Sequence, residues 1–357
     1  MGEAGDIRRG PIEHSLTPEG IPVAPAGPRF VRSAESAAHD EDLADHLADV
    51  AGAILDGDVV PVLGAGVNVC DRDEGQEWEY GHTLPNGREL ADLLARKFVS
   101  DVTDRDLVRV SQAAVLRRGT DPVFKQLRRV FAGDYEPTSV HRFLAGLPAL
   151  RRRRGLDPSP QLILTTNYDT MLERAFTEAG EPFEVLYYLG EEGHDARRHG
   201  KFMHVDVHGT SRIVDAPNRY VDATIADSTM IVKIHGSARE HPAEDSWVIT
   251  EDHCIDYLTR TTLSELVPVK LLEKLLDCNF LFMGYAMKDW NVRVMLHRIF
   301  KQRRHGHEGW ASWAVQLDPD PLDLALWKKN NVTIHRTDLR NYIAQLQGSL
   351  ESVEVWV

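Results

Sequence analysis

The chain has 357 residues, 42% of them hydrophobic, with 41 Lys and Arg against 55 Asp and Glu and a formal net charge of -14. That composition excludes global disorder and any collagen-like or low-complexity class, and the length allows one large domain or two ordinary ones, each with a real core. The acidic balance argues against direct nucleic-acid binding, which relies on a basic face to neutralise phosphates. The dense basic run Arg151 to Arg154, with Lys301 to Arg304 a weaker second, reads as a solvated loop or a subunit contact. No stretch approaches the ~18 apolar residues of a membrane span. The opening MGEAGDIRRGPIEHSL lacks the apolar core of a secretory signal, so the expected compartment is the cytoplasm. Cys70, Cys254 and Cys278 are too few and too scattered for a disulfide framework or a four-cysteine zinc site.

Residues 1–38 read as a disordered tail, with Pro11, Pro18, Pro22, Pro25 and Pro28 among glycines and no apolar periodicity. Leu43, Leu47, Val50 and Ile54 then repeat at helical spacing, with Gly57 as the stop. The short apolar run Val59 to Leu63 is of buried-strand type and leads into Gly64-Ala65-Gly66. Residues 85–150 are almost entirely helical in pattern and too long for one crossover helix, which predicts a small helical subdomain beside a sheet. Further buried strands are expected at Gln161 to Thr165, Phe183 to Tyr188, Met230 to Ile234, Trp247 to Thr250, Asn279 to Met283, Trp313 to Leu317 and Val332 to Ile334. Helical patterns fall at Asp169 to Ala179, His253 to Leu276, Asp289 to Gln302, Asp320 to Lys329 and Asp338 to Leu346. Buried strands alternating with helices predict an α/β fold with a mostly parallel sheet. Residues 190–229 form a loop-rich polar insertion of a kind that commonly covers a site, and 351–357 read as a C-terminal tail.

Four motifs end apolar strands, at the edge where open α/β sheets bind ligands. The first is Gly64-Ala65-Gly66, whose glycines either let backbone amides approach a pyrophosphate or simply make a tight turn. The second is Thr165-Thr166-Asn167-Tyr168-Asp169. Helix capping would need only one of Asn167 and Asp169, so the polar cluster exceeds what capping explains. The third is Lys233-Ile234-His235-Gly236-Ser237. The rival dipeptide His208-Gly209 lacks a preceding apolar strand, and His204 with His208 lies in a Val-rich, loop-like stretch that disfavours a metal. The fourth is Gly284-Tyr285-Ala286-Met287-Lys288-Asp289-Trp290-Asn291, with Asp289 as a helix N-cap.

Taken in this order, the four motifs resemble the sirtuin-like (SIR2-like) superfamily, and in particular its bacterial antiphage-defence branch. Trp247 to Leu258 resembles the strand and helix that follow the family's HG dipeptide, and the resemblance covers about residues 45–350. It implies a Rossmann-like NAD-binding domain over residues 39–350 with the helical subdomain inserted in it. Gly64, Ala65 and Gly66 would hold the pyrophosphate of NAD+, and Asn68, Thr166, Gly236 and Tyr285 would line the pocket. Asn167 would orient the ribose and a water near C1′, Asp169 would face the nicotinamide amide, and His235 would be the catalytic base. Gly284 and Asp289 would sit by the adenosine. Two departures matter. Asn68 stands where the family's protein deacylases usually carry serine, and their zinc-binding cysteine pairs are absent, so no zinc is expected.

The chemistry agrees with an NAD+ hydrolase that yields ADP-ribose and nicotinamide. The leaving group is already cationic, so no strong acid is needed; a near-neutral base and neutral positioning groups suffice. The alternatives are an NAD-dependent protein deacylase or ADP-ribosyltransferase, and a non-catalytic NAD- or ADP-ribose-binding subunit of a defence complex. Toxic NAD depletion, as in abortive infection, must be restrained in resting cells. A homo-oligomer is therefore expected, with Trp290 and Trp310 as candidate contacts. The resemblance implies a HerA-type ATPase, a short Argonaute or a phage-derived activator as possible partners.

Overall fold

The computed structural model of the chain describes residues 34–156, 160–190, 198–220, 228–259, 268–285, 290–303 and 311–352. The chain divides into Met1–Asp45 and His46–Val357. In the first unit the described residues are the opening turns of helix α1 (Ala34–Asp56), so Ala34 to Ala38, expected in the tail, are helical. Residues 1–33 and 353–357, both read as tails, lie outside the described residues.

In the second unit a strand β1 (Val59–Leu63) is followed by a short 3-10 turn, Ala65–Asn68. Four helices come next: α2 (Gly87–Phe98), α3 (Leu107–Arg118), α4 (Thr120–Phe131) and α5 (Ser139–Arg153). Then follow β2 (Leu162–Thr165), α6 (Met171–Ala179), β3 (Phe183–Tyr188), β4 (Phe202–Val205), β5 (Ser211–Val214) and β6 (Thr229–Lys233). Two-residue strands β7 (Gly236–Ser237) and β8 (Ser246–Trp247) precede α7 (Glu251–Thr259) and α8 (Val269–Leu276). The chain closes with β9 (Asn279–Met283), α9 (Trp290–Arg303), β10 (Ser312–Gln316), α10 (Pro321–Lys328), β11 (Val332–Arg336) and α11 (Leu339–Ser352).

Among the described residues nine strands make one sheet in the order β11-β10-β9-β1-β2-β6-β3-β4-β5. Every pairing is parallel except β3 with β4 and β4 with β5. This is the mostly parallel, Rossmann-like α/β architecture that the strand and helix pattern predicts. The chain leaves β1 towards β2 on one side and later crosses to β9 on the other. That reversal opens a crevice at the carboxyl ends of β1, β2 and β9. The central strands are buried on both faces, which is why they read as apolar runs rather than alternating ones. Pro61 is tolerated within β1 because pairing with β2 starts only at Val62.

The helices between β1 and β2 fall into two groups. Helices α2 to α4 bury Leu94, Val110, Val123, Leu127 and Val130 in a core of their own, shared with Tyr168, Met171, Trp247 and Ile249. Helix α5 lies instead over the sheet, where Phe143, Leu144 and Leu147 line a cavity together with Val59, Pro61, Leu162 and Leu281. It is a crossover helix rather than part of the small helical group.

Three local expectations are corrected. Residues 202–205 and 211–214, expected as loop, extend the sheet as β4 and β5. Val248 to Thr250 are not strand; only Ser246 and Trp247 pair, and the Thr250 hydroxyl accepts from the His253 amide in the first turn of α7. The run Arg151 to Arg154 is not a solvated loop. Arg151 is buried and donates to the Ile54 and Leu55 carbonyls in the last turn of α1, where a helix C-terminus favours a cation. Arg152 pairs with Glu181.

Candidate functional site

The first three motifs, and Gly284-Tyr285 of the fourth, stand at the same sheet edge after neighbouring strands β1, β2, β6 and β9. The glycine turn and the β9 turn interlock. Gly64 N donates to Met283 O at 3.0 Å and Gly66 N to Gly284 O at 2.8 Å. A Cβ on Gly66 would lie 2.7 Å from Gly284 Cα, and one on Gly64 would lie 2.6 Å from Gly284 O. Gly284 itself has φ 63°, the left-handed region that favours glycine. Backbone packing therefore accounts for glycine at 64, 66 and 284 without a ligand. Of the three turn amides, Ala65 N alone has no acceptor among the described residues, and Ala65 is half-buried. The amides of Gly64 and Gly66, expected on a pyrophosphate, are engaged by β9.

The second motif folds back onto the first. Thr166 N donates to Leu63 O, and the Asn167 carboxamide donates to Gly64 O at 3.2 Å. The Asp169 carboxylate accepts Met171 N at 3.1 Å on Oδ1, fixing the start of α6, and Asn68 Nδ2 at 2.8 Å on Oδ2. Asn68, Asn167 and Asp169 are all buried. Because a carboxylate only accepts, the Asn68 amide is oriented with Nδ2 towards Asp169. Its Oδ1 is then buried with no hydrogen-bond partner among the described residues.

The third motif lies beside the second. Strands β2 and β6 pair Thr165 with Lys233, and Ile234 N donates to Thr165 O. Asn167 and His235 thus each stand two residues beyond a paired position on adjacent strands. Ala238 N donates to Tyr168 O at 2.8 Å, and Val248 N to His235 O at 2.8 Å. His235 is buried. Gly236 has φ 93° and meets the Ser246 backbone, so β7 pairing with β8 demands glycine there.

Tyr285 is buried in the main sheet core, its ring 6.3 Å from that of Phe282, so its side chain is a packing group at the edge of the site. Asp289, Trp310 and the side chain of Trp290 lie outside the described residues. His208 is exposed on the β4–β5 turn; since β4 runs antiparallel to β3, that turn lies at the opposite sheet edge. His204 is buried in β4, with Nε2 2.5 Å from Glu184 and Nδ1 2.6 Å from Tyr220 Oη. No group of three or more metal-binding side chains occurs among the described residues.

Sequence reasoning assigned no role to three further groups. Thr138 Oγ1 donates to Val67 O, and Ser139 donates through both N and Oγ to Asp71 at 2.6 Å, so the N-terminus of α5 grips the segment after the glycine turn. Burial alone would raise the Asp71 carboxyl, but the Ser139 hydrogen bonds hold it below its ordinary value. His141 accepts Thr138 N on Nδ1 at 3.0 Å. Burial pushes its imidazole below the ordinary value, against the pull of Asp169, Glu173 and Asp71. The third is Lys233, only 1% exposed and paired with Glu173 at 2.9 Å. A lysine ending an apolar strand was the one visible signal among them.

The fold and this edge define a doubly wound, mostly parallel α/β protein with a polar Asn-Asp-His cluster at its switch point. Residues 161–335 match the family model described as SIR2-like domain. Strand β1 and the glycine turn precede the matched stretch. The chain is also 22% identical over 165 residues to "Defense-associated sirtuin 2" of Bacillus subtilis, a match spanning 46% of this chain and 13% of that protein.

Proposed function

We propose that the chain cleaves NAD+ to nicotinamide and ADP-ribose at this edge, and that it serves antiphage defence by depleting NAD. The observation that carries the reading is the placement of Asn167 and His235 at the ends of adjacent strands, beside the Asn68–Asp169 pair. The SIR2-like domain and the likeness to a protein named as a defence-associated sirtuin support it. Water adds to C1′ of the ribose as the carbon–nitrogen bond breaks. Nicotinamide leaves with the bonding pair and becomes neutral, and the proton lost by the water passes to His235. Asn167 is the neutral group that orients the reacting atoms. The orphaned Asn68 Oδ1 fits an N–H of the substrate's carboxamide. The glycine turn supplies the Ala65 amide to the phosphates.

The test is incubation of the protein with NAD+ and chromatographic resolution of the products. His235→Ala and Asn167→Ala are each expected to lose about 100-fold or more in turnover, the range of positioned acid–base groups. His208→Ala, at the far edge, should match wild type. Nicotinamide released only with an acyl-lysine peptide would move the reading to a deacylase. Tight NAD+ binding with no nicotinamide would move it to a binding subunit. Loss of activity in His208→Ala alone would remove His235 from the mechanism.

A further inference from the structure

We propose that Lys233 is a positioning residue for the reaction, its buried ammonium holding the Asn167–Asp169 segment against the strand end that carries His235. The inference rests on the NAD+-cleaving reading of this edge.

Lys233 is the last residue of β6, two before His235, and its register partners are Thr165 on β2 and Tyr187 on β3. Its ammonium donates to the main-chain carbonyl of Asp169 and to Glu173 Oε1. Glu173 lies in α6, four residues after Asp169, so one cation joins the end of the turn that presents Asn167 and Asp169 to the helix that follows it. Arg239 Nη1 lies 3.7 Å from the same Oε1. The Arg239 amide and the Arg128 guanidinium close on opposite oxygens of Asp245, which extends the network to α4.

Stability alone accounts poorly for this arrangement. Desolvating an ammonium and a carboxylate offsets much of their attraction, and an apolar pair of similar volume holds a core as well. An apolar pair cannot donate to the Asp169 carbonyl. That donation is the side-chain tie between β6 and the Asn167 turn, beside the main-chain bond from Ala238 N to Tyr168 O, and displacements of about 1 Å at a reacting centre cost about 100-fold in rate.

The test compares Lys233→Met with the double variant Lys233→Met/Glu173→Gln in the full chain. Melting temperature, kcat and KM for nicotinamide release, and hydrogen exchange of residues 166–171 are measured together. Lys233→Met should melt lower, because it removes the nearer cation of the buried Glu173 and leaves only Arg239, at 3.7 Å, beside it. The double variant should regain most of the melting temperature. Both should lose about 10-fold or more in kcat, with KM changed far less. The Thr166, Asn167 and Met171 amides should exchange faster in the double variant while Leu162 to Thr165 keep their protection. Recovery of kcat together with melting temperature, or unchanged exchange, would overturn the proposal. If wild type releases no nicotinamide, the NAD+ reading falls and the exchange measurement decides the positioning role alone. Should the methionine variants fail to fold, Lys233→Arg keeps the charge but moves the donors, and the same kcat and exchange comparison applies.

Discussion

The carboxamide of Asn68 has a donor end and an acceptor end, and only the donor end is used. Nδ2 reaches Asp169 at 2.8 Å, while Oδ1 is buried without a partner among the described residues. A buried acceptor left unmade costs about 1–3 kcal/mol, a deficit that a ligand N–H would remove. The same hydrogen bond keeps Asp169 in place without adding charge. Replacing Asn68 by Asp keeps the shape and changes the electrostatics, because two carboxylates would then face each other and one would be driven to retain a proton. At acid pH the shared proton would imitate the missing amide donor; as pH rises it would be lost and the pair would repel. Asn68→Asp is therefore expected to hold much of its activity at low pH and lose about 10-fold or more towards neutral pH, relative to wild type. A pH–rate profile parallel to that of wild type would remove Asn68 from the control of Asp169.

At the scale of elements, the interlock of the β1 and β9 turns explains the glycines better than a ligand does. The atoms that a Cβ on Gly66 would meet belong to the Gly284 backbone, at 2.7 Å, and no rotamer change can relieve that contact. Gly66→Ala should cost about 1–3 kcal/mol in unfolding free energy, as overpacking does, and Gly284→Ala should cost more because φ there is positive. Gly52→Ala, with open space around its Cβ and a helical backbone, is the control and should stabilise slightly if it changes anything. Chemical denaturation of the three variants settles the order. The interlock illustrates what the sequence shows and hides. Strands β1 and β9 were legible to the residue because they are mainly apolar and buried on both faces, and β3 because its last four residues are buried and apolar or aromatic. Strand β5 was not, since Ser211 to Ile213 are exposed and carry no apolar run. Strand β4 is four residues with a histidine inside, and its stability comes from pairing with β3 rather than from its own pattern. The Asn167, Asp169 and His235 cluster was visible as polar residues at strand ends. Its ties to Asn68 and Lys233 were not, because hydrogen bonds between residues 68 and 169 or 169 and 233 leave no periodic trace.

For the whole molecule, acid tolerance is set away from the reacting edge, on the flank closed by β11 and α11. The His46 ring stacks on that of His335 with centroids 3.4 Å apart, and its Nε2 lies 2.9 Å from Tyr342 Oη. Burial, with His335 adding to it, lowers the His46 pKa from its ordinary value to about 3. In the unfolded chain the same imidazole titrates near 6.5. Between those values the unfolded state binds the extra proton, so stability is complete above about pH 6.5 and falls as pH drops towards 3. One such site contributes at most about 1.4 kcal/mol per pH unit across that window. His141, also pushed down by burial, acts with the same sign. Wild type should therefore melt progressively lower from pH 7 to pH 5. His46→Gln retains a hydrogen-bonding group for Tyr342 and removes the titration, so its melting temperature should depend less steeply on pH even if it starts lower. The slope of melting temperature against pH should flatten. A stability slope unchanged in His46→Gln would show that the stacked pair does not govern acid unfolding.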